Sequence, residues 1–194
     1  MDGPSHPRSG RREEIFVAAA EIFWEKGYHG TSMRDVADAT NIRKASLYHH
    51  VRNKETLLLE MSVSSLEQII AVAESAVSDD PERRLRDIIK GHVTALIEDR
   101  SRQATMLVEL RSLAPEQRRV VTDLRSRYDQ IFDEAIADVQ KATGRWPDMS
   151  TQMVRLSILG MLNWTIFWFS PGGPDSATTV AATFTDIIFA PVGS

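Results

Sequence analysis

The stretch from Thr31 to Lys54, TSMRDVADATNIRKASLYHHVRNK, constrains this chain more than any other, because it reads as two short helices meeting at a tight turn. Val36 and Ala37 fall on one face of the first helix. Ile42 and Leu47 add apolar contacts from the turn and the second helix, so the pair can close a small core while its opposite face stays polar. Thr31 or Ser32 offers a hydroxyl to cap the first helix, and Asp35 in the first turn suits the helix dipole. Asn41 ends that helix. The turn needs a residue that tolerates positive φ, and after glycine asparagine is among the least strained. Asn53 caps the next helix and leaves Lys54 in its first turn.

On the second helix Arg43, Lys44, Ser46, Tyr48 and His49 are short or basic donors at the start and along the outer side, the chemistry that meets phosphates and base edges. Net charge bears on this reading. The 194 residues sum to −4, yet through Lys54 there are nine Lys/Arg against seven Asp/Glu, or +2, and the remainder carries fourteen against twenty, or −6. Four of the five histidines also fall in the first segment. A locally positive field is what docking to phosphate requires, and an acidic remainder does not forbid it.

GTSMRDVADATNIRKASLYHHVRNKETLL, Gly30 to Leu58, resembles the DNA-binding segment of TetR-type transcriptional regulators, whose pattern runs T-x-x-x-I-A-x-x-A-G-V-S-x-G-x-L-Y-x-H-F-x-x-K-x-x-L. Thr31 or Ser32, Val36, Ala37, Leu47, Tyr48, His50, Lys54 and Leu57 match in order. Asn41 replaces the turn glycine, Arg43 the capping serine, Ala45 the small glycine facing DNA and Val51 the aromatic. The resemblance implies an N-terminal three-helix helix-turn-helix domain. With the residue chemistry it gives phosphate contacts to Arg43, Lys44, Tyr48 and Lys54 and base-edge contacts to Arg34, Ala45, Ser46 and His49. Thr31 and Ser32 complete the expected DNA-binding set.

Around this motif the chain reads as all-α, about nine helices. Residues 1–10, MDGPSHPRSG, are expected to be a flexible arm and not a signal peptide, with Arg8, Arg11 and Arg12 at its end. Residues 11–62 form the DNA-binding domain and 63–194 a helical effector-binding and dimerisation domain. Helix one spans about Arg11 to Lys26, with Ile15, Ala18, Ala19, Ile22 and Phe23 at helical spacing and Gly27 as its stop. A long amphipathic helix follows from Lys54 to Ser78, its apolar side running from Leu57 to Val77. Further helices are expected near Glu82–Arg100, Arg102–Leu113, Pro115–Thr143, Ser150–Phe169 and Ser176–Ala190.

Ile158–Phe169, ILGMLNWTIFWF, is apolar almost all round and too short to span a membrane, so protein must cover it on nearly every side. One cover is its own core. The other is the same helix of a second subunit, with Ile158, Met161, Thr165, Val180, Phe184, Ile187 and Ile188 as a four-helix interface, the way TetR-type dimers are joined. The same region is the candidate pocket for a small apolar effector. Met106, Leu110, Tyr128, Phe132, Trp164, Phe167 and Trp168 would line it, with Asn163, His92 or Arg111 orienting the guest. Aromatics at this spacing also read simply as core. GMLNWTIFWFSPGG resembles the penultimate helix of TetR-type regulators that respond to fatty-acyl or other acyl coenzyme A thioesters. Arg118, Arg119, Arg125 and Arg127 would then meet the coenzyme A phosphates, or form a solvated face with acidic partners.

The sequence offers no cysteine, no histidine pair at metal-ligand spacing, no glycine-rich phosphate loop and no serine elbow, so neither an enzyme nor a metal or cofactor site is expected. The expectation is a cytoplasmic, ligand-responsive homodimeric repressor. Two recognition helices about 34–36 Å apart would read a palindromic operator in double-stranded DNA, with no membrane partner. Two readings stay open: a TetR-type regulator of a drug or xenobiotic efflux gene, and a helical protein–protein adaptor that binds no DNA.

Overall fold

The computed structural model describes residues 7–191, all helix and connections with no strand among them. In chain order the helices are α1 (Pro7–Lys26), α2 (Met33–Ala39), α3 (Lys44–His50), α4 (Lys54–Ser75), α5 (Pro81–Glu98), α6 (Arg100–Glu109), α7 (Pro115–Thr143), α8 (Thr151–Asn163), α9 (Thr165–Trp168) and α10 (Ala177–Ile188), with a 3-10 turn at Leu110–Ser112. They group into two compact units. One comprises the residues through Ser65 together with Ser101–Thr122; the other comprises Leu66–Arg100 and Asp123 onward. The expected division at residues 62 and 63 falls close to Ser65, but the structure groups all but the first residue of α6, and the start of α7, with the N-terminal helices.

The first unit is built around α1. Ile15, Phe16, Ala19, Ala20 and Phe23 are buried, as are Val36 and Ala37 of α2, Leu47 of α3 and Leu57, Leu58 and Met61 of α4. α1 begins at Pro7, so residues 7–10 belong to a helix and not to an arm; residues 1–6 of the expected arm and the Arg8 side chain lie outside what is described. α6 is tied to α1 by Arg102, whose guanidinium is 3% exposed against Glu13, and by the Thr105 hydroxyl, which donates to Ala20 O at 3.3 Å.

In the second unit Leu66, Ile69, Ile70 and Ala73 of α4 and Leu85, Ile88, Ile89, Val93 and Leu96 of α5 are buried with Phe132, Ile136, Leu162 and Ile166. α5 packs against α8, α9 and α10. A Cβ at Gly91 would stand 2.5 Å from Val72 Cγ1, so α5 comes close to α4 at that point because it has no side chain there. Arg145 closes the end of α10: its Nε donates to Glu82 at 2.6 Å and its Nη1 and Nη2 donate to the carbonyls of Ala190 and Phe189.

The end of α4 and the course of the expected Ser150–Phe169 helix differ from expectation. α4 stops at Ser75, leaving Val77 86% exposed, because Asp80 caps α5 with Pro81 in its first turn and the preceding residues form the turn. The expected single helix to Phe169 divides at Trp164, where the Ile166 carbonyl accepts from Arg100 Nε at 2.7 Å. α4 is long and apolar enough to cross a membrane by those criteria alone, at a mean hydropathy of 1.4, yet half of that apolar window is buried inside the protein.

Candidate nucleic-acid interface and polar core cluster

α2 and α3 are fixed by local chemistry. Ser32 caps α2 in a reciprocal box: its Oγ accepts from Asp35 N at 3.2 Å, and the Asp35 carboxylate accepts from Ser32 N at 2.8 Å and from its hydroxyl at 2.5 Å. Those two bonds to Ser32 hold the Asp35 carboxyl down at about 2. Asn41 takes φ +52°, the left-handed turn expected of it, and Ile42 N returns to Ala37 O at 3.0 Å. Arg43 occupies the N-cap of α3 in extended conformation and makes no side-chain cap bond. Asn53 Oδ1 accepts from Thr56 N at 2.7 Å and caps α4.

Leu47, fully buried, pins α3 to the unit and turns the other side outward. Arg43, Lys44, Ala45, Tyr48 and His49 are exposed, and Ser46 and His50 are half-buried. Lys44 Nζ lies 6.0 Å from the Tyr48 ring centroid, so the two share one outward stripe at i,i+4 spacing. Arg34 on α2 is exposed beside Asp38 at 3.8 Å, a surface pair too weak to immobilise it.

Two residues of the expected DNA-binding set face elsewhere. Thr31 is 3% exposed, its hydroxyl donating to the Gly27 carbonyl at 2.9 Å and the Ile22 carbonyl at 3.4 Å, so it locks the α1 terminus and leaves the cap to Ser32. Lys54 points inward, its Nζ donating to the carbonyls of Tyr28 and Thr31 at 2.7 Å each. Sequence reasoning missed Glu109 and Ser112, which reach this loop; their partners in it, Tyr28 N and His29 Nε2, lie 81 and 83 positions away, so no local pattern marks them.

In the second unit His92, Tyr128 and Asn163 come together on α5, α7 and α8. His92 Nδ1 is 2.7 Å from Tyr128 Oη and Nε2 is 3.1 Å from Asn163 Oδ1, with Phe132 edge-on to the imidazole. Burial pulls His92 down to about 4, opposed in part by the bond to Asn163, and pushes the Tyr128 phenol well above its usual range. The cluster is therefore neutral near pH 7. The other expected effector residues are divided. Met106, Leu110 and Arg111 belong to the first unit, whereas Trp164, Phe167 and Trp168 are 63%, 48% and 48% exposed.

The expected dimer residues need a matching correction. Thr165 is fully buried, and Ile158 and Val180 are buried within the protomer; they belong to α9, α8 and α10, the helices that pack on α5. Ile187 is exposed, and Met161, Phe184 and Ile188 are half-buried. The large apolar side chains most exposed from α8 through α10 are Met153, Leu156, Trp164, Phe167, Trp168 and Ile187. Spacing of three and four along Met149, Met153, Leu156 and Gly160 marks this stripe in the sequence. Two shallow grooves indent the second unit: one of about 230 Å³ between Trp146, Met149, Ile158, Met161 and Ile188, and one of about 290 Å³ by Trp168, Val180 and Phe184.

Of the four arginines considered for coenzyme A, Arg118 donates to the carbonyls of Arg111 and Leu113 and Arg127 pairs with Glu74, while Arg119 is exposed. Arg125 is lowered from its ordinary value by burial, against the opposing pull of Asp129. Among the described residues no group of three or more His, Asp or Glu is placed to hold a metal ion.

The family model described as "Bacterial regulatory proteins, tetR family" matches residues 15–61, and the one described as "Tetracyclin repressor-like, C-terminal domain" matches residues 78–192. The chain belongs to the TetR family. It is similar to the HTH-type transcriptional repressor KstR2 of Mycolicibacterium smegmatis, at 30% identity over 96% of this chain and 92% of that one. Among solved structures, the TetR family transcriptional regulator PfmR from Thermus thermophilus superposes with a TM-score of 0.85 at 34% identity, covering 93% of this chain and 99% of its own. AibR, solved with isovaleryl coenzyme A and operator DNA, gives 0.79 at 28%, covering 94% and 100%. This TetR-family chain is thus a helix-turn-helix transcriptional regulator and not an enzyme, and the adaptor reading falls away.

Proposed function

We propose that this regulator is a homodimeric repressor acting on chromosomal DNA in the cytoplasm, released from a palindromic operator by an acyl thioester or a related small apolar effector. The observation that carries the DNA half is the α3 surface: a short helix anchored by Leu47 whose outward residues are Arg43, Lys44, Ala45, Tyr48 and His49. Arg43, Lys44 and Tyr48 serve phosphates, and Arg34, Ala45, Ser46 and His49 serve base edges. The exposed apolar face around Trp164 is where a second copy docks.

The effector half rests on AibR, a relative over nearly the whole chain that has been solved with an acyl coenzyme A. It also rests on the neutral His92–Tyr128–Asn163 cluster, which places polar groups but no cation in the second unit and so suits a neutral carbonyl better than a free carboxylate. Reversing operator occupancy from 99:1 to 1:99 takes about 5.5 kcal/mol of differential affinity, which two bound effectors can share.

The test is selection of operator fragments from a genomic library, followed by titration with acyl coenzyme A thioesters of graded length and the matching free acids. The expected result is one preferred palindromic site, discharged by a thioester and not by its acid. Absence of any preferred site at low salt would overturn the reading.

A further inference from the structure

Lys54 is the one basic residue of the motif that faces inward, and its surroundings show what it does there. An ammonium group has three N–H donors. Nζ of Lys54 lies 2.7 Å from the Tyr28 carbonyl, 2.7 Å from the Thr31 carbonyl and 4.3 Å from the Tyr28 ring centroid. Two carbonyls and an aromatic face thus occupy the half-buried ammonium group on three sides. The Tyr28 carbonyl also accepts from Thr31 N at 3.3 Å, so Lys54 closes the connection between α1 and α2 from both ends.

The same loop is held from a second side within the first unit. Tyr28 N donates to Glu109 Oε1 at 3.3 Å, and the Ser112 hydroxyl donates to Glu109 Oε2 at 2.9 Å and stands 3.2 Å from His29 Nε2. Glu55, next to Lys54, accepts from Ala114 N at 3.0 Å. Tyr28 is 6% exposed, its ring edge-on to Phe23 at 5.2 Å. The loop runs directly into Ser32, the cap of α2, and α2 packs on α3, so its position sets the angle at which α3 is presented.

We propose that Lys54 is a positioning residue for DNA reading: it holds the Tyr28–Thr31 loop on the first turn of α4, in one clasp with Glu109 and Ser112, and touches no phosphate. This rests on α3 being the DNA-reading helix. To reach a phosphate, Lys54 would have to abandon two charge-assisted hydrogen bonds. A cation that neutralises a phosphate releases counterions and steepens the salt dependence of binding by about 0.9 per contact, whereas a cation held by carbonyls adds nothing to that slope.

Operator binding is measured across a salt series for the full-length protein and for Lys54→Met, Lys54→Arg, Glu109→Gln and Lys44→Ala, with amide hydrogen exchange on the DNA-free proteins. Lys54→Met is expected to weaken binding about ten-fold at every salt concentration and keep the wild-type slope. Lys44→Ala flattens that slope by about one unit. Lys54→Arg, which binds phosphate at least as well as lysine, is expected to lose affinity too, because a guanidinium does not fit the two-carbonyl and ring site. Faster exchange at Thr31 is expected in Lys54→Met and in Glu109→Gln, which also serves should Lys54→Met not fold. A slope reduced by about one in Lys54→Met, full affinity in Lys54→Arg, or unchanged Thr31 exchange would each overturn the proposal. Should the unaltered protein bind no DNA, the reading of α3 fails while the exchange measurement still decides the clasp.

Discussion

A histidine with both ring nitrogens engaged inside a core makes stability depend on pH. Asn163 Oδ1 can only accept, so His92 Nε2 carries the proton and Nδ1 accepts from the Tyr128 hydroxyl. Burial lowers the folded imidazole to about 4, while the unfolded chain takes up its proton near the ordinary 6.5. The unfolded state therefore binds more protons between those values. The stability contributed by the neutral cluster is whole above pH 6.5, falls as pH drops toward 4, and is then lost by about 3 kcal/mol. Urea unfolding from pH 7.5 to 4.5 should show this slope, and His92→Gln should flatten it while costing about 1–3 kcal/mol at pH 7 through the unpaired Tyr128 hydroxyl. Equal pH slopes for the two proteins would remove His92 from this role. Each member of the cluster is recognisable in the sequence as a polar residue in an apolar region. Their bonding to one another is not, because the partners lie 36 and 71 positions apart.

Elements were legible wherever the deciding contact is local. The Ser32–Asp35 box and the Asn53 cap each close within three residues, and the Asn41 turn within five, so residue type and spacing carry them. The Ile166 carbonyl, just past the division of α8 from α9, accepts from Arg100, 66 positions away, a contact that no reading of ILGMLNWTIFWF could show. The same locality makes α3 open to direct test. Arg43 leaves its N-cap without a side-chain bond, so Arg43→Ser should stabilise the fold by about 1 kcal/mol in thermal or denaturant unfolding. If Arg43 also meets a phosphate, the same variant flattens the salt dependence of operator binding by about one unit, and stability and affinity move in opposite directions. Asn41, at φ +52°, should accept glycine within about 0.5 kcal/mol and lose about 1–2 kcal/mol on replacement by valine, whose branched Cβ resists that conformation. Equal stability of the glycine and valine variants would mean that the turn is not held left-handed in solution.

At the scale of the whole molecule the operator reading stands or falls with a second copy. A lone α3 is a seven-residue helix that can cover only part of a site, and tying two copies together converts the second docking into an intramolecular event. The surface to do this is present. Trp164, Phe167, Trp168, Met153, Leu156 and Ile187, all from α8 through α10, are between 48% and 63% exposed, more large apolar surface than monomeric proteins usually leave in water. A stable interface needs about 800 Å² from each partner, within reach of a face built of three aromatic and three long aliphatic side chains. Charge placed at its most exposed ring should therefore separate the copies without unfolding them, because Trp164 contributes little to the protomer core. Trp164→Glu together with Ile187→Glu is expected to sediment as a monomer with wild-type helicity and to bind the operator at least about 10²-fold more weakly, through loss of the tethered second half-site. A monomer that kept full operator affinity would show that one α3 suffices. A variant that remained a dimer would mean that the copies meet elsewhere on the protein.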